Sequence, residues 1–126
     1  MTKAAHISMA RVYDEPGVPQ RARLLVDKLW PRGIGKADLA LDDWIREVAP
    51  SSDLRPWFGH DPDKWDEFRR RYRAELGDNE EAVERCLAWC RKSPVVLLYG
   101  AKDRDHNQAV VLQDYLRERL AREDPT

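Results

Sequence analysis

Two short segments of the sequence combine charged side chains with residues that can hold an anion or move a proton. They are DKLWPRG at 27–33 and GAKDRDHNQ at 100–108. An arginine set between a proline and a glycine can present a planar pair of donors to a phosphate or carboxylate. A histidine beside carboxylates can serve as a general acid or base near neutral pH. The two segments therefore predict a site for a small anionic ligand, such as a nucleotide or a sugar phosphate, where acid–base chemistry could follow binding.

The candidate site residues form a binding set and a catalytic set. The ligand-binding candidates are Asp27, Lys28, Arg32, Lys102 and Asn107. The catalytic candidates are His106, as the proton-transferring group, and Asp103 beside it. Each set also has a structural interpretation, because Arg32 could form an internal salt bridge to Asp27 or Asp103. The aspartates near His106 could likewise cap a helix, which would leave the histidine as a surface residue.

Each polar segment follows an apolar run that predicts a strand. Residues 24–26 read LLV and residues 95–99 read VVLLY, a pattern typical of parallel strands covered on both faces. In open parallel sheets, ligands bind beyond the carboxyl ends of the strands. If the two strands are neighbours, the two polar segments face each other across one crevice.

The spacing of apolar residues predicts the elements around these strands. A first strand is expected at 7–13, and a turn rich in proline and glycine at 14–20. Ser51 or Ser52 is expected to cap a short helix. Helices are predicted at 61–77, 79–92 and 105–122, with Asp61, Asn79 and Asp105 as their N-caps.

Strands interleaved with amphipathic helices define the expected fold class. They predict a compact single-domain α/β layered fold with a small, mostly parallel sheet flanked by helices. With 126 residues, the chain is expected to form one domain over 1–126, with an ordered core over about 7–120. The segment 33–60 carries the weakest signals, with a short helical or extended piece ending at Pro50.

The charge balance bears on the class of partner. The 22 basic and 23 acidic residues nearly cancel, which argues against a dedicated nucleic-acid-binding protein. The arginine-rich stretch 69–73 is interpreted as the solvated face of a helix that buries Trp65, Phe68 and Tyr72. No apolar run reaches the roughly 18 residues of a membrane span, and the N-terminal residues lack the apolar core of a signal peptide. A cytoplasmic location without membrane contact is expected.

Cysteine and histidine do not form a metal-binding pattern in the sequence. The 2 cysteines, Cys86 and Cys90, lie four residues apart on the apolar face of a predicted helix, where free cysteine behaves as a small hydrophobic residue. His60 is a weaker candidate for chemistry beside the predicted cap Asp61, and His6 has no supporting pattern. We predict no metal site and no cofactor.

Several motifs resemble those of one bacterial family. RVYD, LLVDKLWPRG, WFGHDPDKWDEFRRRYRAEL and LLYGAKDRDHNQAVVL resemble the DUF488 family of uncharacterised proteins, in its short YeaO-like branch. The resemblance spans about residues 7–116 and implies an α/β fold, without an established reaction. Lys28, Gly100 and Gln108 stand where arginine, alanine and a second histidine are common. Longer members carry a cysteine-histidine-arginine motif after the last strand; this chain has no cysteine there, so thiol chemistry is not transferred to it.

The sequence also leaves two functions of other classes open. The first is a non-catalytic interaction or regulatory module, in which the polar cluster is structural and the 5 tryptophans serve packing and a homodimer interface. The second is nucleic-acid binding through the arginine-rich helix, which would be strongly salt-dependent. The near-zero net charge makes this the weakest of the three hypotheses.

Overall fold

Four strands form a parallel sheet in the computed structural model, which describes residues 6–14 and 21–123. They are β1 (Ile7–Arg11), β2 (Ala22–Leu25), β3 (Asp43–Trp44) and β4 (Val95–Tyr99). Their order is β1-β4-β2-β3, and every pairing is parallel. The predicted pairing of the two apolar runs is confirmed, with Leu25 opposite Leu98. β3 was not predicted, and the turn expected at 14–20 lies outside the described residues except for Asp14.

The helices are α1 (Leu54–Phe58), α2 (Trp65–Gly77), α3 (Glu80–Lys92) and α4 (Gln108–Glu123). Ser51 caps α1, because its Oγ accepts a hydrogen bond from the Leu54 N–H at 3.1 Å. Asp61 caps a 3₁₀ turn that leads into α2, accepting from the Asp63 N–H at 3.0 Å. The helices predicted at 61–77 and 79–92 are therefore confirmed with small shifts at their starts.

One predicted cap is confirmed by position and another is wrong. Asn79 is the N-cap residue of α3, as predicted, but its side chain makes no capping hydrogen bond; its Nδ2 donates to the carbonyl of Glu47 at 2.7 Å. The last helix begins at Gln108 rather than near 105, because Asn107 Oδ1 accepts the N–H of Ala109 at 2.9 Å. Asp105 lies before this turn and is not the cap.

The helices all pack on one face of the sheet. Side chains alternate along β4, so Val95, Leu97 and Tyr99 join the larger core with the buried faces of the helices. Val96 and Leu98 point to the opposite face, where a second cluster includes Leu39 and the half-buried Trp30 and Trp44. The sheet is thus covered on both faces, as its continuous apolar runs require, but the second cover is the connecting segment 30–44 instead of a helix.

The amphipathic interpretation of α2 is confirmed. Phe68 and Tyr72 are buried on the core side, and Trp65 is half-buried. On the opposite side Arg70 and Arg71 both pair with Glu67. Within the described residues, no helix combines the length and the apolar character needed to cross a bilayer.

Candidate functional site

A cleft of about 730 Å³ opens at the carboxyl ends of β2 and β4. This volume is within the usual range for sites that bind small molecules, roughly 300–1,000 Å³. The lining residues are Tyr13, Asp27, Lys28, Leu29, Trp30, Pro31, Arg32, Ala49, Pro50, Ser52, Arg55, Pro56, Phe58, Gly59, His60, Phe68, Gly100, Ala101, Asn107 and Gln108. Sheet topology therefore places the cleft where parallel α/β proteins bind their ligands.

The carboxylate of Asp27 joins the two polar segments. Its Oδ2 accepts the N–H of Gly100, which directly follows β4, at 2.8 Å, and its Oδ1 accepts from Gln108 Nε2. The fit is close, since a Cβ added at Gly100 would lie 3.1 Å from Asp27 Oδ2. Burial raises the pKa of Asp27, and the hydrogen bond from the Gly100 N–H opposes that rise. Asp27 is therefore a partly desolvated acid bonded to the end of the neighbouring strand.

The raised pKa of Asp27 predicts how an Asp27→Asn variant responds to pH. A carboxyl whose pKa is higher in the folded state than its ordinary 3.8 favours folding at low pH and loses that contribution as pH rises through the folded value. We therefore expect Asp27→Asn to be at least as stable as the wild type at pH 8. Any advantage should shrink as the pH falls toward 4 in urea unfolding measured across that range.

The control for this experiment is Asp105→Asn, at an exposed carboxylate outside the cleft lining. It should show no comparable pH-dependent advantage over the wild type. If Asp27→Asn is instead clearly less stable than the wild type at pH 8, ionised Asp27 stabilises the fold, contrary to this prediction.

Two tryptophans hold the DKLWPRG turn in place. Trp44 Nε1 donates to the carbonyl of Asp27 at 2.8 Å, and Trp30 Nε1 donates to the carbonyl of Ile34 at 2.7 Å. Their rings meet edge to face with centroids 5.4 Å apart. Gly33 has φ +79°, a left-handed conformation that glycine adopts without steric cost. These contacts explain why a buried strand is followed by charge, tryptophan, proline and glycine, since together they build one wall of the cleft.

Cationic side chains outnumber carboxylates in the cleft. Lys28, Arg32 and Arg55 line it, against the one carboxylate of Asp27. None of these three cations forms an ion pair within residues 6–14 and 21–123. Arg55 is distinctive because its Nε is buried and has no acceptor among the described residues. The cleft therefore has an excess of positive charge and one donor without a partner.

His60 lines the cleft in a strained conformation. It has φ +57° and follows Gly59, which has φ +55° and ends α1. A left-handed conformation costs a residue with a side chain roughly 1–2 kcal/mol. Strain of this kind is often found at functional sites, and here it places an imidazole beside Phe58, with ring centroids 6.1 Å apart.

The strain at His60 can be measured with one substitution at His60 and another at the adjacent Gly59. His60→Gly should leave the free energy of unfolding unchanged or raise it by up to about 1 kcal/mol, since glycine adopts φ > 0 freely. Gly59→Ala should lower it by about 1 kcal/mol for the converse reason. Chemical denaturation of both variants tests the pair, and a clear loss of stability in His60→Gly would show that the imidazole itself stabilises the fold.

The structure brings together four of the seven predicted site residues. Asp27, Lys28, Arg32 and Asn107 line the cleft. The amide of Asn107 is engaged in the protein, because its Nδ2 donates to the carbonyl of Asp103 at 2.9 Å and its Oδ1 caps α4.

Lys102, Asp103 and His106 are not among the residues that line the cleft. His106 Nδ1 lies 2.9 Å from Asp103 Oδ2, so the expected histidine–carboxylate pair forms. Its ring and that of Trp65 meet edge to face, with centroids 5.1 Å apart. Hydrogen bonds from the backbone N–H of Asp105 and from His106 lower the pKa of Asp103. The cleft therefore contains every predicted ligand-binding residue except Lys102. The two predicted catalytic residues, His106 and Asp103, lie outside its lining.

Sequence reasoning missed Arg55 as a cleft residue. Arg55 belongs to α1, and its sequence neighbours carry no spacing that marks a binding residue. The sequence makes His60 only a weak candidate, and the structure places it in the cleft lining. Gln108, where the related family commonly has a histidine, donates to Asp27.

Neither cysteine is among the residues that line the cleft. In the described ranges, no group of three or more histidine, cysteine, aspartate or glutamate side chains is placed to hold a metal ion. Both cysteines are buried in the helical layer, as expected for small hydrophobic residues. Burial raises the pKa of Cys90 to about 11 and that of Cys86 further above its ordinary range.

The fold and the cleft define a small α/β protein whose parallel sheet opens onto a cationic cleft. Residues 6–126 match the family model described as "Inactive DUF488-N3 subclade". The chain belongs to this subclade of the DUF488 family, which confirms the resemblance noted in the sequence.

Curated relatives from two bacterial groups support this assignment. The chain is 45% identical over 112 residues to "Uncharacterized protein YeaO" of Escherichia coli (strain K12), covering 89% of this chain and 97% of that protein. It is 40% identical over 84 residues to "Uncharacterized protein Rv3073c" of Mycobacterium tuberculosis (strain ATCC 25618 / H37Rv), covering 67% of this chain and 71% of that protein. No solved structure gives a significant match.

Proposed function

We propose that this protein binds a small anionic ligand in the cleft, through a carboxylate or phosphate group, and does not transform it. The observation that carries the proposal is Arg55, which lines the cleft and whose buried Nε has no acceptor among the described residues. An arginine fork is suited to bidentate recognition of either anion.

Arg55 forms no ion pair among the described residues, and among their arginines it is the one whose buried Nε has no acceptor. Ion pairs with carboxylates are made by Arg70, Arg71, Arg73, Arg85, Arg91, Arg104 and Arg119. A buried donor left without a partner costs roughly 1–3 kcal/mol. An anion in the cleft would supply the missing acceptor, so this cost would be recovered on binding.

The charge of the cleft supports the same ligand class. Lys28, Arg32 and Arg55 carry three positive charges, and Asp27 can carry one negative charge. Because burial already raises the pKa of Asp27, a bound anion would raise it further and favour the neutral carboxyl. Binding should therefore be accompanied by proton uptake at Asp27 and weaken as the pH rises.

Three observations favour binding without catalysis. The matching subclade is described as inactive. His106 and Asp103 form their pair outside the cleft lining. Both cysteines are buried in the helical layer, so neither supplies a nucleophile to the cleft.

The proposal can be tested by nuclear magnetic resonance titration with phosphate and acetate at constant ionic strength. We expect saturable shifts at the Arg55 Nε–H, the Gly100 amide and the Gly59 amide. Chloride at the same ionic strength is the control. Shifts that fail to saturate, or that spread over exposed arginines as they do with chloride, would disprove an anion site.

A separate measurement tests the prediction that the protein does not transform its ligand. Phosphate monoesters such as p-nitrophenyl phosphate should be recovered unchanged after incubation with the protein. Hydrolysis that co-purifies with the wild type and disappears in His60→Gln would overturn the non-catalytic part of the proposal.

A further inference from the structure

We infer that the ligand of this cleft is an amphipathic anion, with one carboxylate or phosphate on a compact aromatic or branched apolar body. This inference rests on the proposed function and identifies the chemical class of the ligand. It follows from the composition of the walls, from the partners of their polar groups, and from the exposed rim.

The walls of the cleft are largely apolar, and their shape is formed before a ligand binds. Pro31, Pro50 and Pro56 contribute to them, together with Phe58 and Phe68. Proline fixes its own backbone angle, so these walls lose little conformational freedom when a ligand is bound. A preorganised apolar surface favours a rigid apolar body.

Several neutral polar groups of the walls already have partners inside the protein. The Asn107 amide contacts the backbone of the 103–109 segment, and the Gln108 amide donates to Asp27. The Trp30 indole N–H and the Tyr13 hydroxyl donate to backbone carbonyls at 2.7 and 2.8 Å. These internal bonds leave fewer neutral donors in the walls to recognise the hydroxyls of a sugar. The sequence suggested a nucleotide or a sugar phosphate as the ligand. Such ligands should therefore fit this cleft less well than an anion with an apolar body does.

The rim of the cleft exposes large hydrophobic side chains. Leu29 is 65% exposed and Tyr13 47% exposed, and these are the exposed large hydrophobic residues of the described chain. Both line the cleft. They share this cleft with Arg55 and Arg32, so apolar surface and positive charge occur in one cleft, which matches a ligand with an apolar body and one anionic head.

Four matched probes test the inference by isothermal titration calorimetry. They are phenyl phosphate, inorganic phosphate, glucose 6-phosphate and benzyl alcohol. We expect phenyl phosphate to bind at least tenfold more tightly than inorganic phosphate, and glucose 6-phosphate to bind no more tightly than inorganic phosphate. Benzyl alcohol should bind more weakly than phenyl phosphate, because it lacks the charge that Arg55 recognises.

A variant of the rim makes the test specific to this cleft. Leu29→Ser should reduce the ratio of phenyl phosphate to inorganic phosphate affinity at least threefold. Since Leu29 is mostly exposed, the change should not disturb folding, which circular dichroism verifies. Ala88→Ser, on the exposed side of α3, should leave the ratio unchanged.

The outcomes separate this inference from the proposed function. If all three phosphates bind equally and depend on Arg55, the anion site stands and the amphipathic ligand is disproved. If no anion binds, or if Arg55→Met changes nothing, the proposed function itself fails. If sedimentation shows a dimer that Leu29→Ser dissociates, a second copy of the chain covers the rim and the inference is overturned.

Discussion

Replacing Arg55 with methionine should weaken anion binding in the cleft about tenfold to a hundredfold, without loss of fold stability. A hydrogen bond to a charged group contributes roughly 1.5–3 kcal/mol, and a tenfold change in affinity corresponds to about 1.4 kcal/mol. Methionine keeps most of the apolar stem of arginine and removes the buried Nε that has no acceptor in the described chain. The free energy of unfolding should therefore stay constant or rise by up to about 1 kcal/mol.

The opposite directions of the two effects make this prediction specific. A structural arginine would lose stability when replaced, whereas an arginine reserved for a ligand loses affinity. Phosphate titration and urea unfolding of the same preparation measure both quantities. Arg69→Met, at an exposed arginine of α2 outside the cleft lining, is the matched control and should retain wild-type affinity. A marked loss of stability in Arg55→Met alone would assign the residue a structural role.

Replacing Trp44 with alanine should lower the free energy of unfolding by about 3 kcal/mol, the lower end for large aromatic residues because Trp44 is half-buried. Trp44 packs against Trp30, lies under the guanidinium of Arg46 at 4.4 Å, and donates to the carbonyl of Asp27. It also belongs to the cluster that covers the second face of the sheet. The variant should therefore lose both a core contact and a bond that supports the wall of the cleft built by the DKLWPRG turn.

Trp44→Phe separates these two contributions. It retains an aromatic ring and removes the indole N–H, which leaves the Asp27 carbonyl without that donor and should cost about 1 kcal/mol. Thermal and chemical unfolding of both variants give the comparison. If the phenylalanine variant is as unstable as the alanine variant, the hydrogen bond to Asp27 dominates and packing contributes little.

The sequence was sufficient for the elements whose burial leaves a clear pattern. The apolar runs at 24–26 and 95–99 predicted parallel neighbours because strands covered on both faces need apolar residues at every position. α2 and α3 were predicted because 3.6-residue periodicity places one stripe of side chains in the core. Short elements leave weaker patterns. β3 has only two residues, Asp43–Trp44, so neither alternation nor an apolar run could reveal it.

The location of the cleft could be predicted because its polar segments directly follow two strands of the sheet. Asp27 meets the Gly100 N–H as a consequence of strand pairing alone. Which side chains line the cleft, however, depended on how other elements pack. Arg55 reaches it because α1 packs against α2, with the rings of Phe58 and Phe68 stacked 4.3 Å apart, and no local pattern of residue types reports that packing.

The orientation of the 100–107 segment was also decided by tertiary structure. The cap at Asn107 starts α4 later than expected, and the Asp103 side chain binds the backbone N–H groups of Asp105 and His106. His106 consequently packs against Trp65 instead of entering the cleft. By itself, the sequence determined the parallel sheet, the amphipathic helices and the polar strand ends, because these follow from local burial patterns. Only the tertiary structure decided which charged side chains share the cleft, because that depends on contacts between elements distant in the chain.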